Sequence, residues 1–208
     1  MLEIEKLSVV LGSRRVLDEV SLRVSSGSLV SISGRNGSGR STLLRAVAGA
    51  VQRTGRIALD HVELADLPAW RVAREGVGFA PDTRDVFARL TVDEHFALVP
   101  AVSAWTDRYA LLDVLAPIAR RRRVHAGALS GGEQKLLSIA RSALVARRLW
   151  LLDEPFEGLA APMIDAVAAL IQQARAAEVT VIVADGAAPN TLSEASMRLS
   201  IEGGRLRS

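Results

Sequence analysis

The stretch from Gly34 to Thr42, GRNGSGRST, constrains this chain more than any other. Ahead of it, Ser28 to Ser33 (SLVSIS) is a short β-branched, apolar run suited to a buried strand. Behind it, Thr42 to Ala50 (TLLRAVAGA) carries helix formers at apolar spacing. A glycine-rich turn between a strand and a helix points successive backbone N–H groups at one spot, at the positive end of the helix, and so can hold a phosphate. Gly34, Gly37 and Gly39 let the backbone come close enough. The spacing GxxxxGxST is that of a phosphate-binding P-loop, with Arg40 where a lysine is expected. Read this way, Arg35, Asn36, Ser38 and Thr42 belong to the cradle, Arg40 lies over the β- and γ-phosphates of a nucleotide, and Ser41 holds Mg²⁺. Taken alone, the segment also reads as an ordinary turn before a helix.

Two further segments weigh against that bland reading. Leu149 to Leu152 is an apolar strand ending in Asp153 and Glu154, which places two carboxylates at the carboxyl end of a sheet strand, where open α/β sheets bind ligands. Asp153 is suited to ordering Mg²⁺ and its waters, and Glu154 to polarising an attacking water. Leu129 to Gln134 reads LSGGEQ. Ser130, Gly131 and Gly132 precede Glu133, Gln134 and the helical run KLLSIARSALVA, so a second set of backbone amides sits at a helix N-terminus with little side-chain bulk.

GRNGSGRST, LSGGEQ and LWLLDEP, in this order, resemble the ATP-binding cassette (ABC) ATPases over nearly the whole chain. The resemblance implies an α/β P-loop NTPase fold: a mainly parallel sheet flanked by helices, an antiparallel β layer near the N-terminus, and a helical insertion at about 86–128. It implies one cassette over 1–208 that binds and hydrolyses ATP with Mg²⁺, using Glu154 at the water and Ser41, Asp82 and Asp153 at the metal. In that family Ser130 to Gln134 close on the γ-phosphate held by another subunit. The chain is therefore expected to form a homodimer or heterodimer with a second ABC ATPase and to dock on an integral membrane permease from the cytoplasmic face. VGFAPDTRDVFARLTVDEHFAL, with Asp82 after the proline, and the GLAAP of Gly158 to Pro162 look like the ATPase subunits of branched-chain amino-acid and urea-type importers.

Three positions depart from the family pattern. Arg40 keeps the charge of the lysine but presents a larger planar fork, so the replacement is not conservative in a tight cradle. Leu11 stands where an aromatic residue usually stacks on adenine, and Gly186 stands where a switch histidine or glutamine is expected. A second reading follows: a subunit whose own site is degenerate while its LSGGEQ completes the active site of a partner ATPase.

Composition excludes several alternatives. The chain has no cysteine, hence no disulfide or thiolate metal site, and no run of 18 apolar residues or basic-then-apolar leader, so membrane spanning and secretion are not expected. A pI near 10.1 invites a nucleic-acid reading, but the formal charge is only +3. Lys6 and Lys135 are the only lysines, and the one basic run, Arg120 to Arg123, follows a helix-like stretch whose end cations would complement. Trp70, Trp105 and Tyr109 do not interleave with basic residues as a base-stacking platform would. No nucleic-acid partner is expected.

Along the chain, Leu2 to Val24 reads as a strand pair with a turn at Gly12 to Arg14, and Gly55 to Leu64 as a hairpin across Asp60 and His61. A short helix over Pro68 to Glu75, a strand over Val77 to Ala80, and helical pattern from Val86 to Ala128 follow. Strand and helix then alternate through Ala161 to Ala177, Val179 to Ala184 and a return through MRLSIEGGRL, which implies a parallel sheet covered on both faces.

Overall fold

A computed structural model describes residues 1–83, 85–100, 103, 105–186 and 194–207. Strands β1 (Leu2–Leu11) and β2 (Arg14–Val24) form the first hairpin, turning at Gly12 with φ near +60°. With β4 (Thr54–Leu59) and β5 (Val62–Glu63) they make a four-stranded antiparallel sheet in the order β2-β1-β4-β5. Leu2, Ile4, Leu7 and Val9 of β1 are buried while its polar residues are more exposed, the alternation of a strand with one wet face. A register shift between Ile4 and Leu7, with Lys6 at φ near +49°, bends this strand.

The second sheet has six strands in the order β10-β9-β3-β8-β7-β6. These are β3 (Leu29–Gly34), β6 (Val77–Ala80), β7 (Leu149–Asp153), β8 (Thr180–Ala184), β9 (Met197–Glu202) and β10 (Arg205–Arg207). All its pairs are parallel except β10 with β9. Every residue of β7 and β8 is buried, as expected of strands covered on both faces. Side-chain alternation divides them between two cores. Leu149, Leu151, Ile182 and Ala184 face the antiparallel layer and α1 (Arg40–Val47). Trp150, Leu152, Val181 and Val183 face α6 (Gly131–Val145), α7 (Ala161–Ala176) and the insertion.

The insertion departs from the sequence reading. In place of continuous helix over 86–128, its described residues form three short helices and a 3₁₀ turn: α3 (Val92–Ala97), α4 (Arg108–Val114), α5 (Ala116–Ala119) and Ala126–Ala128. Apolar spacing suggested helix correctly, but cap residues divide it. Thr91 and Glu94 form a reciprocal capping box at α3, and Asp107 accepts the N–H groups of Tyr109 and Ala110 at α4. Leu115, at ψ near +57°, then breaks the chain ahead of Pro117. Helix α2 (Ala69–Arg74) and β6 match their expected spans closely.

His95 locks the insertion from inside. It is fully buried, its Nε2 accepts the N–H of Phe87 at 2.9 Å, and its Nδ1 lies 2.8 Å from the carbonyl of Thr91. The geometry requires the Nδ1–H tautomer, and burial holds the imidazole below its ordinary pKa. The unfolded chain then binds the extra proton first, so stability present above the unfolded value of about 6.5 is lost as pH falls below it. Thermal unfolding followed from pH 8 to pH 5 should show this decline, and His95→Gln should flatten it while costing about 1–2 kcal/mol.

Candidate functional site

Parallel pairing brings the carboxyl ends of β3, β6, β7 and β8 to one edge of the sheet. There a cleft of about 740 Å³ is lined by the loop from Arg35 to Thr42 together with Arg14, Val16, Asp82, Glu154, Phe156 and Asp185. That volume suits a small-molecule ligand of nucleotide size.

The glycines of the loop are there for different reasons. Gly34, Gly37 and Gly39 all have φ between +76° and +154°. A Cβ on Gly34 would stand 2.6 Å from the Ile201 carbonyl, and one on Gly39 would stand 2.8 Å from Leu17, so these two let the loop pack against β9 and β2. A Cβ on Gly37 would meet nothing within 4 Å. Its requirement is conformational, and it faces space that a ligand can enter. Gly39 caps α1 in the left-handed region with no side-chain cap bond, leaving the first-turn amides of α1 for an anion.

Below the cleft, Ser41 Oγ donates to Asp153 Oδ1 at 2.9 Å. Asp153 is 2% exposed, and its Oδ2 has no hydrogen-bond partner. Burial pushes its carboxyl above the ordinary carboxylate range; the Ser41 bond opposes this and the charge of Asp82 adds to it. An orphaned buried carboxylate oxygen beside a hydroxyl fits an oxygen-ligated divalent cation. Asp82 lines the same cleft, with its carboxylate 3.9 Å from Lys135 Nζ. Among the described residues no group of three or more His, Cys, Asp or Glu could hold a metal by itself. The donor set therefore suits Mg²⁺, which characteristically takes one or two carboxylates and completes its shell with phosphates and water.

Glu154 sits in the left-handed region at φ near +46°, and its N–H donates to the Ala184 carbonyl at 2.7 Å, tying the end of β7 to the end of β8. Backbone strain of this kind persists only where the surroundings over-determine it. Arg40 Nη2 donates to Glu154 Oε1 at 2.6 Å, Arg40 Nη1 donates to the Gly34 carbonyl, and the Gly186 N–H donates to Glu154 Oε2 at 3.1 Å.

The LSGGEQ segment lies elsewhere. Ser130 to Gln134 are outside the lining of the cleft and open helix α6. Ser130 Oγ accepts the Glu133 N–H at 3.3 Å and Glu133 Oε2 accepts the Ser130 N–H at 2.8 Å. This capping box spends Ser130 and Glu133 on the helix itself, and Glu133 also pairs with Arg121 at 3.0 Å. Gln134 Nε2 donates to the Ala126 carbonyl. The N–H groups of Gly131 and Gly132 have no acceptor within the helix.

Several other features stand apart from the sequence reading. Leu11 is 45% exposed at the end of β1 and does not line the cleft; Arg14 and Val16 of β2 do. Lys135, overlooked as a site residue, donates to the carbonyls of Glu154 and Glu157 at 2.7 and 3.0 Å, joining the start of α6 to the loop after β7. Its signal was its rarity, a lysine in an arginine-rich chain directly after LSGGEQ. Within the basic run, Arg121 and Arg122 are engaged by Glu133 and Asp93. Trp105 is partly buried and packs against the core, donating to the Ala146 carbonyl at 2.7 Å, whereas Trp70 and Tyr109 are exposed.

The family model described as ABC transporter matches residues 17–157, more than half of the chain. The branched-chain amino acid transport ATP-binding protein BraG of Pseudomonas aeruginosa is 35% identical over 99% of this chain and 91% of its own length. The lipopolysaccharide export system ATP-binding protein LptB of Escherichia coli is 31% identical over 93% of this chain and 83% of its own. Among solved structures, an ATP binding subunit of an ABC transporter superposes with TM-score 0.87 at 23% identity, over the whole of this chain and 88% of that one. A cassette dimer in a post-hydrolysis state with ADP and Pi superposes with TM-score 0.86 at 21% identity, over the whole of this chain and 97% of that one.

Asp153 offers a direct check on the geometry. Its folded pKa is raised, so the native state binds the proton more tightly and stability falls as pH rises past the unfolded value of about 3.9. Without metal or nucleotide, Asp153→Asn should raise stability by about 1 kcal/mol at pH 7, and the gain should vanish below about pH 4. Urea unfolding at the two pH values checks it.

Proposed function

The chain belongs to the ABC transporter family as an ATP-binding subunit, a P-loop ATPase, and from that premise we propose how its residues divide the work. The whole of 1–208 acts as one cassette. The amides of Gly37 to Ser41 and the N-terminus of α1 hold the phosphates of ATP, with Arg35, Asn36, Thr42 and Arg40 completing the cradle. Ser41 and Asp153, with Asp82 beside them, would hold Mg²⁺, which when bound offsets charge on the phosphates. Glu154 accepts hydrogen-bonding from the attacking water and takes up its proton. The observation that carries this reading is the convergence of Ser41, Asp153 and Glu154 under one glycine-rich loop at the carboxyl edge of the sheet.

A subunit of an ABC transporter implies a permease and a second cassette. No helix among the described residues is long and apolar enough to cross a membrane, which supports peripheral docking on the inner face of the cell membrane. The insertion supports the same reading: Phe87 and Leu98 are 53% and 54% exposed beside a groove lined by Ala73, Phe79, Asp85 and Arg141. For the solute we propose small-molecule import, amino-acid or urea-type, supported by Asp82, by the Gly158 to Pro162 segment and by the likeness to BraG. The likeness to LptB shows that cassettes this similar also serve export.

A second reading rests on Arg40, whose bonds to Glu154 and Gly34 turn it inward. In that reading this subunit acts mainly in trans, its Gly131 and Gly132 amides stabilising charge on ATP held by a partner cassette. With permease and partner ATPase reconstituted, phosphate release at saturating ATP separates the two. For an ordinary motor, Glu154→Gln, Arg40→Ala and Gly131→Asp should each cut turnover by roughly 10²-fold or more. For the in-trans subunit, Gly131→Asp removes most of the turnover and Arg40→Ala costs far less.

A further inference from the structure

Arg40 lines the cleft, and its guanidinium is engaged by two contacts that a lysine would not reproduce together. Its terminal nitrogens divide between the Gly34 carbonyl and Glu154 Oε1, and the two side chains are 7% and 17% exposed. The other Glu154 oxygen accepts the Gly186 N–H at 3.1 Å, so the carboxylate is gripped on both sides. Gly186 is also what makes room. A Cβ there would stand 3.2 Å from Arg40 Nη1 and 3.3 Å from Nη2, tighter than ordinary contact, so the guanidinium packs against Gly186 and would have to shift by a few tenths of an ångström for a side chain there. The two departures at 40 and 186 are thus one structural unit. A planar fork spans two acceptors set apart at fixed directions, whereas an ammonium is a compact point donor.

We propose that Arg40 and Gly186 form a nucleotide-released latch on Glu154. The guanidinium holds the carboxylate against the P-loop; arriving phosphates compete for the same cation and free Glu154 as they bind. This rests on the role given to Glu154 above. Arg40 is a positioning residue here, since it acts on the reaction through Glu154. One buried cation faces two anions, so nucleotide affinity and the charge on Glu154 become coupled through position 40. The charge-assisted bond broken on release is subtracted from the affinity for ATP. The latch keeps the water-polarising group bound until phosphate is present, at the cost of weak binding.

The test is a double-mutant cycle on the full chain, titrated with a slowly hydrolysed fluorescent ATP analogue in EDTA, so that metal plays no part. Glu154→Gln keeps the shape and removes the charge. It should tighten binding about tenfold with Arg40 present and less than about twofold in the Arg40→Lys background. Gly186→Ala should press the guanidinium and weaken its bond to Glu154, tightening binding by up to about threefold with Arg40 only. Equal tightening in both backgrounds would mean plain repulsion between carboxylate and phosphate, and no tightening in either would mean no competition; either result overturns the latch. Thermal unfolding without nucleotide reads the contact independently: Arg40→Lys and Glu154→Gln should shift Tm non-additively, and additive shifts also overturn it. If no variant binds the analogue while Tm remains non-additive, the nucleotide-binding reading itself fails and the release step fails with it.

Discussion

Leu29 to Ile32 run in parallel register beside Val181 to Ala184, which in turn run beside Trp150 to Asp153. That ladder sets the separation between the end of β3, where the P-loop begins, and the end of β7, where Asp153 and Glu154 emerge. Neighbouring strands lie about 4.8 Å apart, so groups two strands apart come within side-chain reach only if their ends are level. Here they are level, and Ser41 meets Asp153 while Arg40 meets Glu154. A slip of one residue would turn every side chain of the strand to the opposite face and exchange the two cores. The strict division of β7 and β8 between those cores is what holds the register.

Around this ladder the site is tied from several directions by backbone contacts. Glu154 is pinned through its own N–H to β8, and its carbonyl is held by Lys135 from the first turns of α6. Movement of the LSGGEQ helix is therefore mechanically connected to the loop that carries Glu154. Asp82 stands at the same lysine. The tie depends on a long side chain that spans from the start of α6 to the carbonyls of Glu154 and Glu157.

The main lines of the fold were legible in the sequence. The P-loop is bounded by SLVSIS and TLLRAVAGA, and the spans of β6, β7, β8 and the first hairpin follow from short β-branched runs between turn residues. The insertion was less legible, because apolar spacing reports which residues face the core and says little about where a cap or a proline interrupts the helix. Thr91, Asp107 and Leu115 made those interruptions. Which hairpin residues wall the cleft was not legible either, because residues close in sequence lie at different depths: Leu11 ends β1 exposed, and Arg14 and Val16 line the cleft.

By itself the sequence determined the chemistry available: a glycine-rich anion cradle, a hydroxyl and two carboxylates at a strand end, a second set of amides at a helix start, and the family to which these belong. Each is a local pattern, carried by residues adjacent in the chain. Only the tertiary structure decided what those groups do to one another. Arg40 and Gly186 are separate departures in the sequence, yet in space the guanidinium packs against Gly186 and both bond the carboxylate of Glu154. Likewise Gly34 and Gly39 read as glycines that let a phosphate approach, and the fold shows them admitting β9 and β2. The reason is steric: whether a position has room for a side chain depends on what the rest of the chain places beside it, and local patterns do not record that.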